Sequence, residues 1–238
     1  MFGKRVTIIV GHFGSGKTEI AVNGALQLAG GGIRVALVDL DVVKPYFRSR
    51  ATRAVMAEHG VDLIVPGGEN VFADLPIIVP QIRTLLHDSR RKVLFDVGGD
   101  DTGARALGSL ADVVPRDETE HLLVLNFRRP FTETADDAVA MIREIEAAAR
   151  LPITGVISNT HLMGETTPEI VRDGHRLAAA AAGAVGVPVV AVVAEEGIAE
   201  ELDASAFACP VFRLRRLLRP PFDQPRHQRA TGPLFVLT

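Results

Sequence analysis

The stretch VTIIVGHFGSGKT, Val6 to Thr18, decides how the rest of the chain is read. Five apolar or β-branched residues in a row fit a strand buried on both faces, and a segment of helical period opens near Lys17. The turn between them has the form GxxxxGK[ST], in the strand–turn–helix setting that gives the pattern its meaning. Glycines let successive backbone N–H groups turn inward onto an anion, and the helix N-terminus adds its partial positive charge. A lysine at position 17 then reaches the β and γ phosphates of a nucleotide, and a hydroxyl at 18 ligates Mg²⁺. A bare glycine turn ahead of a helix needs neither, and the chain has only four lysines. Gly11, His12, Phe13, Gly14, Ser15, Gly16, Lys17 and Thr18 are therefore the expected nucleotide-binding loop, with Lys17 exposed on it.

Outward from this loop, short runs of Val, Ile and Leu alternate with longer helical patterns, the signature of a parallel sheet covered on both faces. Strands are predicted near 5–10, 33–39, 62–65, 92–97, 121–126, 153–158 and 189–193. Helices are predicted near 17–29, 46–59, 74–88, 102–110, 133–149, 168–184 and 195–202. Thr132 precedes a first turn with Glu133 and Asp136, and Thr167 precedes Pro168 at the first helical position. The fold class is α/β, a mostly parallel, doubly wound sheet with helices on both faces. Residues 1–212 form one domain, and 213–238 a basic, Pro- and Arg-rich tail. Within that boundary region VFRLRRLL, Val211 to Leu218, reads as a last edge strand and docking tail, or else as a short basic amphipathic run that touches a membrane surface.

Two further strand ends supply acids. VALVDLD closes the second strand with Asp39 and Asp41, and KVLFDVGGDD closes the fourth with Asp96, Gly98, Gly99 and Asp100. Ligands of open parallel sheets sit beyond the carboxyl ends of the strands, so these carboxylates converge on the loop. Hard Mg²⁺ takes oxygen ligands and keeps waters, which suits Thr18 with carboxylates acting largely through water. Any one such Asp is also a common turn former.

The chain of 238 residues is 47% apolar and 23% charged, an ordinary soluble balance, and its single cysteine, Cys209, excludes an internal disulfide framework and paired-thiolate metal sites. A reducing, cytoplasmic setting follows, and no signal peptide is expected. Leu177 to Ala194 has no charged or polar side chain, yet Gly183, Gly186 and Pro188 make it a helix, a turn and a buried strand rather than a membrane span. The net charge of −3 conceals six Arg against one Asp in the last 28 residues. Without interleaved aromatic residues, and with an acidic body, that basic tail does not point to nucleic acid.

GHFGSGKT, the DLD pair, DVGGD and a late strand ending ISNT together resemble the SIMIBI class of P-loop NTPases, within it the CobQ/CobB/MinD/ParA superfamily. The resemblance is nearest to bacterial ATP-binding members that read GHFGSGKTE, VDLD, PYFRSR and NPFRPFT at these places, and it runs from about Val6 to Pro221. It implies Mg-ATP and often a nucleotide-bridged homodimer. It implies Asp39 near the Mg²⁺ shell, Asp41 orienting or deprotonating the attacking water, Asp96 as the Walker B acid and the Gly99 amide sensing the γ-phosphate. Asn159 falls where the family reads the adenine edge, or is a turn Asn after a strand. Thr18, Asp39 and Asp96 thus form the expected metal set, and Lys17, Asp41, Asp96 and Arg48 the catalytic set.

There are departures. Relatives that hydrolyse across a dimer carry a lysine where this chain has His12. Cluster-bearing relatives carry interfacial cysteines that Cys209 does not match, so no iron–sulfur cluster is expected. Guanine-specific relatives carry NKxD, whereas Asn159, Thr160, His161 and Leu162 lack the Lys and the Asp. Tyr46, Phe47 and Arg48 fall in the first switch region, and Arg128 and Arg129 lie past the fifth strand; such arginines clamp phosphates or a client carboxylate, or are solvated helix starts. His161, His59 and His87 have no metal-ligand spacing. The function expected is a slow Mg-ATPase switching a protein client. The alternatives are a small-molecule kinase or ligase resembling dethiobiotin synthetase, and a nucleotide-binding module with negligible turnover.

Overall fold

The computed structural model describes residues 1–41, 50–65, 80–99 and 101–217. Eight strands form one sheet: β1 (Val6–Gly11), β2 (Val35–Leu40), β3 (Val61–Ile64), β4 (Lys92–Gly98), β5 (Thr119–Leu125), β6 (Gly155–Ser158), β7 (Val189–Glu195) and β8 (Val211–Leu214). They lie in the order β3-β2-β4-β1-β5-β6-β7-β8, every pairing parallel. The helices are α1 (Lys17–Gly30), α2 (Arg50–Glu58), α3 (80–87), α4 (Asp101–Gly108), α5 (Ala135–Ala149), α6 (Pro168–Val185) and α7 (Glu196–Glu201). The sheet is thus wholly parallel. The expected start of α2, the first turns predicted for the third helix, Arg48, Asp100 and residues 218–238 lie outside the described residues.

Strand side chains alternate between the two faces, and the core divides accordingly. Val6, Ile8 and Val10 share one cluster with Val93, Phe95 and Val97 and with residues of α3 to α6 such as Ile82, Leu107, Met141 and Ala181. Ile9, Leu37 and Leu94 belong to a second cluster with Ile20 and Ala25 of α1 and Met56 of α2. The two connections running from β1 toward β3 leave α1 and α2 on one face. Connections in the opposite direction place their helices on the other, as right-handed crossovers require. α7 packs beside α6 over Val192 and Ala194 of β7.

The local capping signals are partly as expected. Thr167 accepts from the Ile170 amide with Pro168 in the first turn of α6, and Gly186, at φ 76°, ends the helix before β7. α5 starts two residues later than Thr132 implies. Its cap is Thr134, which exchanges side-chain and backbone bonds with Asp137 in a capping box, while the Thr132 hydroxyl donates to the Pro130 carbonyl at 3.4 Å. β8 continues to Leu214, across the boundary expected at residue 212, because Leu214 is buried in the cluster that holds α1.

Candidate nucleotide site

Strands β1 and β5 are neighbours whose connections leave in opposite directions, and in an open parallel sheet the crevice beyond such a pair is where ligands bind. The loop after β1 sits there. Gly14 and Gly16 have φ 79° and 88°, a region that only glycine enters without penalty. Gly16 is the N-cap of α1 and offers no side chain, whereas α5 and α6 each start on a threonine cap. A phosphate is the group that the first turn of α1 is built to accept.

Neighbouring strand ends hold the loop. Asn159, just past β6, donates from Nδ2 to the Ser15 carbonyl at 2.7 Å, close enough that a side chain at Gly16 would collide with it. Asn126, just past β5, donates to the Gly14 carbonyl at 3.4 Å and to the His161 carbonyl at 3.2 Å, and its Oδ1 accepts from the His161 and Arg128 amides. Arg129 Nε donates to the same Gly14 oxygen at 3.1 Å. Asn126 carries no functional expectation from sequence; its place at a strand end opposite the loop was the available signal. Arg129 reaches the loop with its side chain, and Arg128 is exposed.

The acids come together as the sequence implies. Asp39 and Asp96 are register partners on β2 and β4, two residues on from Leu37 and Leu94, so both point to the face that α1 covers. Thr18 Oγ1 donates to Asp96 Oδ2 at 2.7 Å, and the Asp41 amide donates to Asp39 Oδ1 at 2.9 Å. Lys17 is not exposed. It is 6% accessible, and its Nζ lies 2.6 Å from Asp41 Oδ2. Burial works against its charge, but Asp96, Asp41 and Asp39 together raise its pKa above the ordinary lysine value. Burial pushes Asp96 up to about 6 against the pull of Lys17 and Thr18, and burial with the Asp96 charge raises Asp39 well above the carboxylate range.

Those carboxylates fit a divalent cation. Asp96 Oδ1 is buried with no hydrogen-bond partner, and the donors within reach are all oxygens, the set that Mg²⁺ prefers. No group of three or more His, Cys, Asp or Glu among the described residues forms a metal site alone. Thr18, Asp96 and Asp39 would therefore hold the ion together with phosphate oxygens and water. Gly99 lies where β4 ends against the loop: a Cβ there would fall on the Gly11 carbonyl and 2.6 Å from the His12 amide nitrogen.

From the loop a cavity of about 590 Å³ runs past the ends of β6, β7 and β8. Its far walls are apolar at Val193, Ala194 and Leu214 and polar at Glu195, His161 and Arg216. Burial, with the Arg129 and Arg216 charges, holds His161 down to about 4, so the ring is neutral at pH 7. Neither Glu195 nor Arg216 was a site expectation; both come from strands whose relation to the loop is visible only in the fold.

No protein-family model matches the chain, and no curated protein matches it. Solved structures do. FtsY from Thermotoga maritima superposes with a TM-score of 0.53 at 19% identity, over 78% of this chain and 60% of that one. Chloroplast FtsY from Physcomitrella patens gives 0.52 at 21%, over 77% and 56%. The kinase domain of the Escherichia coli tyrosine kinase ETK gives 0.51 at 20%, over 70% and 71%. The chain thus spans less than two thirds of the FtsY structures it matches. At these identities the likeness shows the fold alone, a parallel sheet with helices on both faces. That fold agrees with the architecture that the resemblance to SIMIBI-class P-loop proteins implied. No helix among the described residues is long and apolar enough to cross a membrane.

Proposed function

We propose that the chain is a Mg-ATP-dependent P-loop ATPase that works as a nucleotide switch for a protein client. The observation that carries this reading is the convergence of Lys17, Asp41, Thr18 and Asp96 on the glycine loop at one end of a cavity of nucleotide size. Bound Mg²⁺ would offset charge on the transferring phosphoryl group. The protein's own part is positioning: the loop amides and Lys17 hold the phosphates, Thr18 and Asp96 hold each other for the ion, and Asp41 stands beside Lys17 to orient water. His12 stands where relatives that hydrolyse across a dimer carry a lysine, and slow basal turnover until Arg48, a second copy or a client supplies a cation belongs to this reading. A homodimer, a protein client and a cytoplasmic location belong to this proposal.

Adenine is supported by the absence of an NKxD carboxylate and by Asn159, whose Nδ2 is held by Ser15, leaving Oδ1 to accept from the adenine amino group. One observation favours guanine instead. Glu195, at the end of β7, lines the cavity and is able to accept from the N1 and N2 hydrogens of guanine.

The test is equilibrium titration of fluorescent ATP and GTP analogues, with and without Mg²⁺, on the wild type and on Lys17→Ala checked for folding. ATP should bind at least tenfold tighter than GTP, and Lys17→Ala should lose at least tenfold in affinity. Unchanged affinity in folded Lys17→Ala would remove the loop as the phosphate site, and GTP binding equal or better would reassign the base. Phosphate release with no added metabolite separates the switch from a small-molecule kinase or ligase.

A further inference from the structure

The segment Arg213–Leu217, the end of β8 and the residues just after it, is fastened to α1 in a regular way. Gln27 Nε2 donates to the Arg213 carbonyl at 3.3 Å, and Asn23 Nδ2 to the Arg215 carbonyl at 2.9 Å. Asn23 Oδ1 accepts from the Arg215 amide at 2.9 Å, and Glu19 accepts from the Leu217 amide. Glu19, Asn23 and Gln27 recur every four residues, one stripe of a helix that advances about 6.0 Å per four residues. Their partners recur every two residues, about 6.6 Å along extended chain. The two repeats match, so α1 acts as a polar rail for this edge segment and carries it toward Thr18 and the phosphate loop.

Alternation then sorts the side chains. Leu214 and Arg216 line the cavity, whereas Arg215 pairs outside it with Glu196 at 2.6 Å. Arg216 is held by Glu195 at 2.8 Å, and the ion pair leaves it about one quarter exposed. Its charge is felt by His161, which lines the same cavity. A guanidinium so placed is planar, permanently charged and able to lie against an aromatic ring.

We infer that Arg213–Leu217 is a wall of the nucleotide cavity, that Arg216 contacts the purine end of the bound nucleotide, and that nucleotide binding and docking of this segment on α1 strengthen each other. This rests on the nucleotide reading of the cavity. The reciprocity is thermodynamic: if the docked segment raises affinity for the ligand, the ligand must stabilise the docked segment to the same degree.

The experiment uses the full chain and three probes: ATP, GTP and inorganic triphosphate. Arg216→Ala should weaken the preferred nucleotide at least fivefold and leave triphosphate binding unchanged. Asn23→Ala, which touches no ligand, should weaken nucleotide several-fold by loosening the rail. In the wild type, nucleotide should slow amide hydrogen exchange over 211–217 at least fivefold, a readout that needs no variant to fold. Wild-type nucleotide affinity in both variants, an equal loss for triphosphate in Arg216→Ala, or unchanged exchange at 211–217 would overturn the inference. Failure of the wild type to bind any of the three probes would instead remove the nucleotide reading itself.

Discussion

Lys17 and Asp41 neutralise each other across 2.6 Å in a largely buried setting, which makes Asp41 the nearest rival to an incoming phosphate for the same ammonium. Removing one partner of a buried pair typically costs about 3–5 kcal/mol because the other charge is left uncompensated. A bound phosphate supplies that compensation to Lys17 when Asp41 is absent. Asp41→Asn should therefore bind nucleotide several-fold tighter than the wild type while its turnover falls by about 10² or more, as loss of a group acting on water would give. Parallel titration and phosphate-release assays check it; normal turnover would move the water-orienting role elsewhere. Lys17, Thr18, Asp39 and Asp96 were legible in sequence because the loop pattern and the strand ends place them at definite offsets. The burial of Lys17 was not, because it depends on β2 bringing Asp39 and Asp41 alongside. Asn126 escaped notice for a similar reason: the carbonyl it holds, Gly14, is 112 positions away.

At the scale of elements, the strands and helices followed from period and punctuation, since an all-parallel sheet buries continuous apolar runs and separates them with helices. What propensity did not show is how closely the elements meet. Gly99 is the clearest case, for the end of β4 crosses the start of the loop with no room for a methyl group. Gly99→Ala must push β4 and the loop apart, with an overpacking cost of about 1–3 kcal/mol. Urea unfolding should show that loss, and nucleotide affinity should drop at least tenfold, because the displaced backbone is the one that surrounds the phosphates. A variant with wild-type stability and affinity would show that the crossing relaxes freely. The start of α5 makes the same point on a small scale: two threonines were available, and the reciprocal bonds between Thr134 and Asp137 decided between them.

Across the whole molecule, the faces of the sheet are unequally covered, and the crowded one encloses His121 near the start of β5. Its Nδ1 lies 3.2 Å from the Pro152 carbonyl and its Nε2 is buried without a partner, so burial holds the imidazole neutral, with a pKa of about 4. The unfolded chain takes up this proton near its ordinary value of 6.5 and the folded one does not. Stability from this group is therefore present above about 6.5 and is lost as pH falls toward 4, at up to about 1.4 kcal/mol per pH unit. Asp96, raised to about 6, acts in the opposite sense, and His161 in the same sense. The contrast between wild type and His121→Phe isolates the histidine: unfolding measured from pH 7.5 to 4.5 should fall less steeply in the variant, and identical slopes would mean that His121 takes up its proton in the folded state.

The bond between Asn23 and Arg215 joins positions 192 residues apart, from the first helix to the residue just after β8. Contacts so distant form late, because the intervening chain must be ordered before the closure is rewarded. The phosphate loop lies between elements that follow directly in sequence, but another wall of its cavity waits for Leu214 and Arg216. Ligand affinity is then a property that refolding acquires last: after dilution from denaturant, the signal of a bound fluorescent nucleotide should trail the recovery of helix by circular dichroism, and a chain trapped short of that step would hold nearly all of its secondary structure and almost none of its grip on nucleotide.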